Sequence, residues 1–428
     1  MCGIAGSYQV DTGRPATGDR IHAAVRCIAH RGPDDKGIYA KGRAVLGHRR
    51  LSIIDTSPAG HQPFTDESGR YTIAFNGEVF NFLELRAQLE AQGHQFRSNT
   101  DTEVVLRLFA LKGPEFLHDL NGFFALAIHD AETDTLFVAR DRFGVKPLVW
   151  CKTDGRFLFA SELRALTALG ASREIDPVSL RIYFTHYYIP APHTIFQGVH
   201  KLEPGHAITV SEKGLEKTKW YDAEEAAQRT SVPTDHNARL RDLMDDAVRI
   251  RLIGDVPTGT FLSGGLDSSI VSAIAKRYAP GLRTFSIGYT DPFYDETPHA
   301  ELVARHLGTE HTTFTLGTND LADAYAGFLA AIDEPFADQS ALPSYVLNQR
   351  TRQHVTVALS GDGADEVFGG YRKHQAELRI ERPGAVERLA LLGGPLWRML
   401  PRSRNNPITD RIRQLDRYAR TARSSRTE

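Results

Sequence analysis

The stretch Phe261-Leu262-Ser263-Gly264-Gly265-Leu266-Asp267-Ser268-Ser269 constrains the chain more than any other. It reads as a short apolar strand, Thr260 to Leu262, then a glycine turn, then a helix from Asp267 to Tyr278. Ile270, Val271, Ile274 and Ala275 recur along that helix at helical spacing. Adjacent glycines allow a sharp turn and let a ligand approach the main chain closely. Ser268 and Ser269 fall in the first helical turn, where free N–H groups and the helix dipole favour an anion. The loop lacks GxxxxGK[ST], so it is not a Walker-type P-loop. An ordinary strand–turn–helix corner would not need the second Gly, the Asp and both Ser together.

At 428 residues the chain is expected to hold two or three domains. An apolar fraction of 41% supports real cores, and 24% charged residues with a net charge of −2 argue for neither nucleic acid nor a membrane surface. No apolar run reaches spanning length, and the N-terminus lacks a signal-peptide pattern. The cysteines, Cys2, Cys27 and Cys151, form an odd, unclustered set with no CxxC pair. That usage fits a reducing cytoplasm and does not point to zinc.

Cys2 follows the initiator Met and precedes Gly3. Trimming of Met1 would leave the Cys2 thiol beside its own α-amine. An amine of pKa about 8 can serve as the local base for a nucleophile. Further fragments follow in order: His30-Arg31-Gly32-Pro33-Asp34, His48-Arg49-Arg50-Leu51-Ser52-Ile53-Ile54-Asp55, Phe75-Asn76-Gly77-Glu78 and Ser98-Asn99-Thr100-Asp101-Thr102-Glu103. With Met-Cys-Gly-Ile-Ala-Gly they resemble the class II glutamine amidotransferases, which are N-terminal-nucleophile hydrolases.

The resemblance implies that Cys2 is the nucleophile and that Asn76 and Gly77 supply the oxyanion donors. It implies that Arg50 holds the glutamine α-carboxylate and Asp101 the α-ammonium. Leu51, Ser52, Ile53, Ile54 and Glu78 would line the same pocket. Taken alone, Asn76-Gly77 also suits a hairpin turn, Arg50 a surface position and Asp101 a helix N-cap. Ala139 to Leu148 and Ala160-Ser161-Glu162 match the family too, with an implied place in the core and in the wall shared with a second domain. The implied fold is two stacked antiparallel sheets between helical layers, an αββα sandwich, over residues 2–205. Proline and glycine punctuate residues 174–222, and 206–235 read as a linker.

From 236 onward strands alternate with helices, predicting an α/β parallel sheet. Asn237–Leu252 reads as an amphipathic helix. The Ser263 loop, Ile287-Gly288 and Ser360-Gly361-Asp362-Gly363-Ala364-Asp365-Glu366 would fall at strand C-terminal ends, where such sheets bind ligands. The Ser263 loop resembles that of the ATP pyrophosphatases (adenine nucleotide α-hydrolase-like proteins). With the N-terminal region, the chain resembles the glutamine-hydrolysing asparagine synthetases from residue 2 to about 371. That implies ATP contacts from Leu262, Ser263, Gly264, Gly265, Asp267, Ser268, Ile287, Ser360 and Gly361, with Mg²⁺ held by Asp267 and Asp365. Asp362 takes the acidic position tied to β-aspartyl-AMP formation, although some members have Glu there. Asp333 to Ser340 matches a family stretch near the nucleotide and aspartate pocket, or is a polar connecting loop.

The implied activity is ATP-dependent asparagine synthesis from aspartate, with ammonia from glutamine and small-molecule partners only; a homodimer is left open. A different carboxylate as acceptor, for example in surface-polysaccharide systems, and a glutaminase or regulatory protein with an impaired second domain are the alternatives. Family members normally continue well past Tyr371, with a lysine that contacts the nucleotide. No counterpart is found, which is expected of either a truncated sequence or a naturally short member. Residues 373–428 carry thirteen Lys and Arg against six Asp and Glu, about +7. They read as solvated helix faces rather than a nucleic-acid tail.

Overall fold

The computed structural model describes residues 1–428 except 12–19, 232, 292–294, 402, 404, 405 and 425–428. The terminal Ser425-Arg426-Thr427-Glu428 therefore lies outside the described residues. The strands are β1 (Gly3–Gln9), β2 (Asp35–Lys41), β3 (Ala44–Arg50), β4 (Phe64–Thr65), β5 (Tyr71–Val79), β6 (Gly122–Asp130), β7 (Thr135–Arg140) and β8 (Val149–Thr153). They continue with β9 (Arg156–Ala160), β10 (Val199–Lys201), β11 (His206–Ser211), β12 (Gly214–Lys219), β13 (Thr258–Phe261), β14 (Arg283–Tyr289), β15 (Glu310–Leu316) and β16 (Val357–Leu359).

The first twelve strands make two antiparallel six-stranded sheets, ordered β10-β8-β9-β1-β3-β2 and β12-β11-β7-β6-β5-β4. Their central strands are apolar at nearly every position because both faces are buried. In β9, Phe157 and Phe159 join Ile4, Tyr8, Leu46, Ala74, Val138 and Ile208 between the sheets. The alternate residues Leu158 and Ala160 face the opposite way, packing with Val25 and Leu166 of the helices Ile21–Cys27 and Leu163–Leu169. On the far side, Ile73 and Phe75 of β5 pack with Val104 and Leu108 of the helix Asp101–Lys112. This is the expected αββα layering.

Two expectations are corrected. Residues 206–219, read as the start of a linker, form the hairpin β11–β12, and β11 pairs with β7 in the second sheet. Trp220 then stacks on Phe124 and donates to the Arg140 carbonyl at 3.2 Å. The proline and glycine there mark turns around strands, not a free connector. Asn76-Gly77 is not a turn. It lies inside β5, paired with Ala125 and Phe124 of β6.

β13 to β16 form a parallel sheet ordered β15-β14-β13-β16. The order reverses beside β13, so the loop after β13 sits at a topological switch point. The sheet is tied directly to the sandwich. Asp255 accepts from the Asp55 N–H at 2.8 Å and donates its own N–H to the Ile53 carbonyl at 2.8 Å. The Arg251 guanidinium lies over the rings of Phe80 and Phe123, 4.3 and 4.9 Å from their centres.

The chain divides into two compact units, Met1–Leu359 and Ser360–Glu428. The second consists of helices, the longest Pro407–Ser424. Some of its basic residues pair within it: Arg420 with the buried Asp416 at 2.9 Å and Arg413 with Asp410 at 2.7 Å. Among the described residues, no helix is long and apolar enough to cross a membrane.

Candidate active site

Cys2 directly precedes β1, and its backbone is held from behind. The Arg31 guanidinium donates to the Cys2 carbonyl at 2.9 Å. Glu162 Oε1 grips Arg31 at 3.0 Å and His30 at 2.9 Å. Ser161 accepts from the Ile4 N–H at 2.9 Å. The His-Arg-Gly-Pro-Asp and Ala-Ser-Glu fragments thus serve one purpose, placing Cys2. Gly32 permits it, since a Cβ there would stand 2.3 Å from the Arg49 backbone.

The Cys2 thiol faces a cavity of about 50 Å³, lined among others by Met1, Arg50, Asn76, Gly77, Glu78 and Asp101. Leu51, Ile53 and Ile54 line it as well, whereas Ser52 lies on the opposite side of that loop. The Leu51 N–H donates to the sulfur at 3.4 Å, yet burial pushes the thiol above the ordinary cysteine range. The group therefore needs a base close by. Met1 still caps the chain, and burial lowers its amine to about 5.

Asn76 is fully buried, and neither its Nδ2 nor its Oδ1 has a partner. A buried amide left unsatisfied on both atoms is uncommon. Gly77 is required for close packing, since a Cβ would stand 2.5 Å from the Phe123 carbonyl.

Burial, reinforced by Asp101, raises Glu78 to about 7; burial raises Asp101 itself to about 6, opposed by the Val79 N–H at 3.0 Å. Asp101 is the first residue of its helix. The N-cap is Thr100, which accepts from Glu103. Arg50 is buried rather than a surface residue, and its guanidinium donates to the carbonyls of Ser57, Ile54 and Asp55 at 3.0, 3.3 and 2.5 Å. Of its five N–H donors, two remain for a ligand.

Lys146 also lines this cavity and was not singled out from sequence. Asp141, fully buried, accepts from the N–H groups of Phe143, Val145 and Lys146 and so folds the loop that presents it. The signal was present in Ala139 to Leu148, read there as core and shared wall.

Around the Ser263 loop, Gly264 has φ +80°, and a Cβ would meet the His299 and Ala300 backbone at 2.6 Å. The helix Leu266–Tyr278 starts at Gly265 without a side-chain cap. Ser268 accepts from the Ser263 N–H at 3.2 Å, and Ser269 donates to the Gly265 carbonyl at 2.6 Å. The turn is thus pre-folded around open N–H groups. The Leu262 side chain packs with Ala300 and Ala304, so the expected nucleotide contact there falls to its backbone. Ile287 lies in β14, next to Gly288, where a Cβ would crowd Thr297.

In the second unit, Ser360 donates to Asp362 at 2.9 Å, Gly363 has φ +92°, and Asp365 lies in the short helix Ala364–Phe368. Tyr371 donates to Glu366 at 2.6 Å. Gly361 precedes Asp362 in this turn. Asp267 and Asp365 belong to different units. Among the described residues no group of three or more His, Cys, Asp or Glu gathers as a metal site.

Asp333 and Glu334 face the sandwich. Asp333 accepts from the Arg164 N–H and guanidinium at 3.0 and 3.1 Å and also from the Leu163 N–H. Glu334 accepts from the Ile195 N–H at 2.9 Å and pairs with Lys201. A sequence match could not show which side of the loop these carboxylates point to.

Residues 1–221 match the glutamine amidotransferase domain family, and residues 239–428 match the asparagine synthase family. The chain belongs to the glutamine-hydrolysing asparagine synthetases. It is 36% identical to asparagine synthetase (glutamine-hydrolysing) 1 of Bacillus subtilis, over 89% of this chain and 60% of that protein. Asparagine synthetase (glutamine-hydrolysing) 3 of the same organism is 35% identical over 92% of this chain and 67% of the relative. For asparagine synthetase B of Escherichia coli the identity is 34%, over 87% of this chain and 65% of that one. The chain thus spans 60% of the length of the first of these synthetases. Among solved structures, glutamine phosphoribosylpyrophosphate amidotransferase from B. subtilis gives a TM-score of 0.40, with 17% identity, over 79% of this chain and 72% of that one.

Proposed function

We propose that this chain makes asparagine from aspartate and ATP, using ammonia that its sandwich domain releases from glutamine. The observation that carries the reading is the unpartnered Asn76 amide in one cavity with the Cys2 thiol. The Ser263 loop on the same compact unit supports the second half-reaction.

Removal of Met1 frees the Cys2 amine, which takes the thiol proton. Met1 lines the cavity, so its loss also makes room for substrate. The sulfur attacks the glutamine amide carbon. Asn76 Nδ2 and the Gly77 N–H receive the oxyanion. Asp101 and Glu78 take the α-ammonium, and the two spare donors of Arg50 take the α-carboxylate. Ammonia leaves, and water frees glutamate from the thioester.

At the second site the N–H groups after Gly264, with the Ser263 and Ser268 hydroxyls, cradle the pyrophosphate of ATP. The backbone of Leu262 and the Ile287 strand border the adenosine. The aspartate side-chain carboxylate attacks the α-phosphorus, pyrophosphate leaves, and ammonia displaces AMP from β-aspartyl-AMP; Asp362 acts in forming that intermediate. Asp267, a single carboxylate on the Ser263 loop, suits Mg²⁺, which takes one or two protein oxygens plus phosphate oxygens. Asp267 and Asp365 would hold it, and it would neutralise charge on the leaving pyrophosphate. A cytoplasmic location agrees with the unpaired cysteines.

The test is pyrophosphate release from Mg·ATP with ammonia, with and without aspartate. Aspartate-dependent release with asparagine formed supports the reading. Glutaminase activity without that release would mean another carboxylate is the acceptor, or that this length of chain does not complete the second site. Cys2→Ala should abolish glutamine-dependent synthesis and spare ammonia-dependent synthesis. Equal loss of both would sink the two-site scheme.

A further inference from the structure

A second cavity, of about 750 Å³, lies within the first unit against the outer side of the loop 51–61. Its size falls in the range of small-molecule sites. One wall comes from the sandwich, with Asp34, Asp35 and His61. The other comes from the segments that lead into β13 and β16, with Val256, Arg352 and Thr356. Arg50 lines both this cavity and the Cys2 cavity.

The charges around it are incompletely matched. Asp35 accepts from His61 at 2.7 Å. Asp34 accepts only the Ser52 N–H, at 2.8 Å, and has no cationic partner among the described residues. Arg352 has no carboxylate partner among them either, and it is exposed. An exposed carboxylate and an exposed guanidinium, neither with an oppositely charged partner among the described residues, therefore border one open cleft of mixed polar and apolar lining, from two different walls. A phosphate-type anion would meet Asp34 and Asp35, and a plain cation would meet Arg352. A molecule carrying both charges satisfies both walls.

We infer that this cavity binds a free zwitterionic α-amino acid, its ammonium toward Asp34 and its carboxylate toward Arg352. The inference goes beyond the reading of the Cys2 cavity as a glutamine site. Three sources share the chemistry: glutamine on its way in, glutamate on its way out, or asparagine acting back on the glutaminase.

The test is equilibrium dialysis of Cys2→Ala protein, which cannot turn glutamine over, against labelled L-glutamine, L-glutamate and L-asparagine in separate arms. Two equivalents bound by at least one of them are expected, falling to one in Arg352→Gln and in Asp34→Asn, with the remaining site's Kd changed less than twofold. In the glutamine arm, Asp101→Asn should remove the other equivalent. Inorganic phosphate should not compete. Unchanged stoichiometry in both Arg352→Gln and Asp34→Asn, or displacement by phosphate, overturns the inference. If Asp101→Asn alone has no effect, the glutamine-pocket reading fails while this one stands.

Discussion

Glu78 and Asp101 are carboxyls held above their ordinary values, at about 7 and about 6, by burial. If they hold the ammonium of glutamine as proposed, both must be charged, so KM for glutamine should rise as pH falls through 7 to 6, with a smaller change in kcat. Asp101→Asn should raise KM by roughly 10- to 100-fold, the scale of one hydrogen bond to a charged group; an unchanged KM would remove Asp101 from the pocket. The same shifts bear on stability. A carboxyl whose folded pKa exceeds its unfolded one binds protons on folding, so its cost is absent below the unfolded value, grows between the two and is complete above the folded one. Glu78→Gln should therefore stabilise the protein above pH 7 and have no such effect below about pH 4. Denaturant titrations at both pH values check this.

At the scale of elements, β1 shows how one small residue sets a layer spacing. A Cβ on Gly6 would stand 2.4 Å from the Phe159 ring and 2.7 Å from the Val45 carbonyl. Gly6→Ala should cost about 1–3 kcal/mol by overpacking, read as a lower urea midpoint, and should also slow glutamine hydrolysis because β1 carries Cys2. The two-sheet sandwich around it was legible through the motifs that carry the family resemblance. So was the Ser263 corner, whose chemistry is local. The hairpin β11–β12 was missed because its pairing with β7 is long-range and its own turn residues mimic a linker. Asn76-Gly77 offered a local turn signal that β6 overrides by pairing through it. The partners of Arg50 were invisible for a related reason: a loop wrapped around a guanidinium leaves no pattern in residue types.

Across the whole first unit, charge links the nucleophile to the parallel-sheet domain. Arg31 holds the Cys2 carbonyl, Glu162 holds Arg31 and stands 3.1 Å from Arg164, and Arg164 reaches Asp333. Asp333→Ala should weaken the start of the helix Leu163–Leu169 by about 1 kcal/mol. It should also raise the glutamate formed per asparagine above the wild-type ratio, as ammonia escapes between sites held less firmly. An unchanged ratio would make the contact a cap and nothing more. Met1 carries a different kind of consequence. Its carbonyl ties up the amine of Cys2 in a peptide bond, so on the proposed reading glutaminase activity waits until that bond is cut. A purification tag at the N-terminus should yield a folded protein that uses ammonia but not glutamine, and the same tag at the C-terminus should leave glutaminase activity intact. Expression hosts that trim methionine poorly should give mixed batches, whose glutaminase activity scales with the trimmed fraction measured by intact mass.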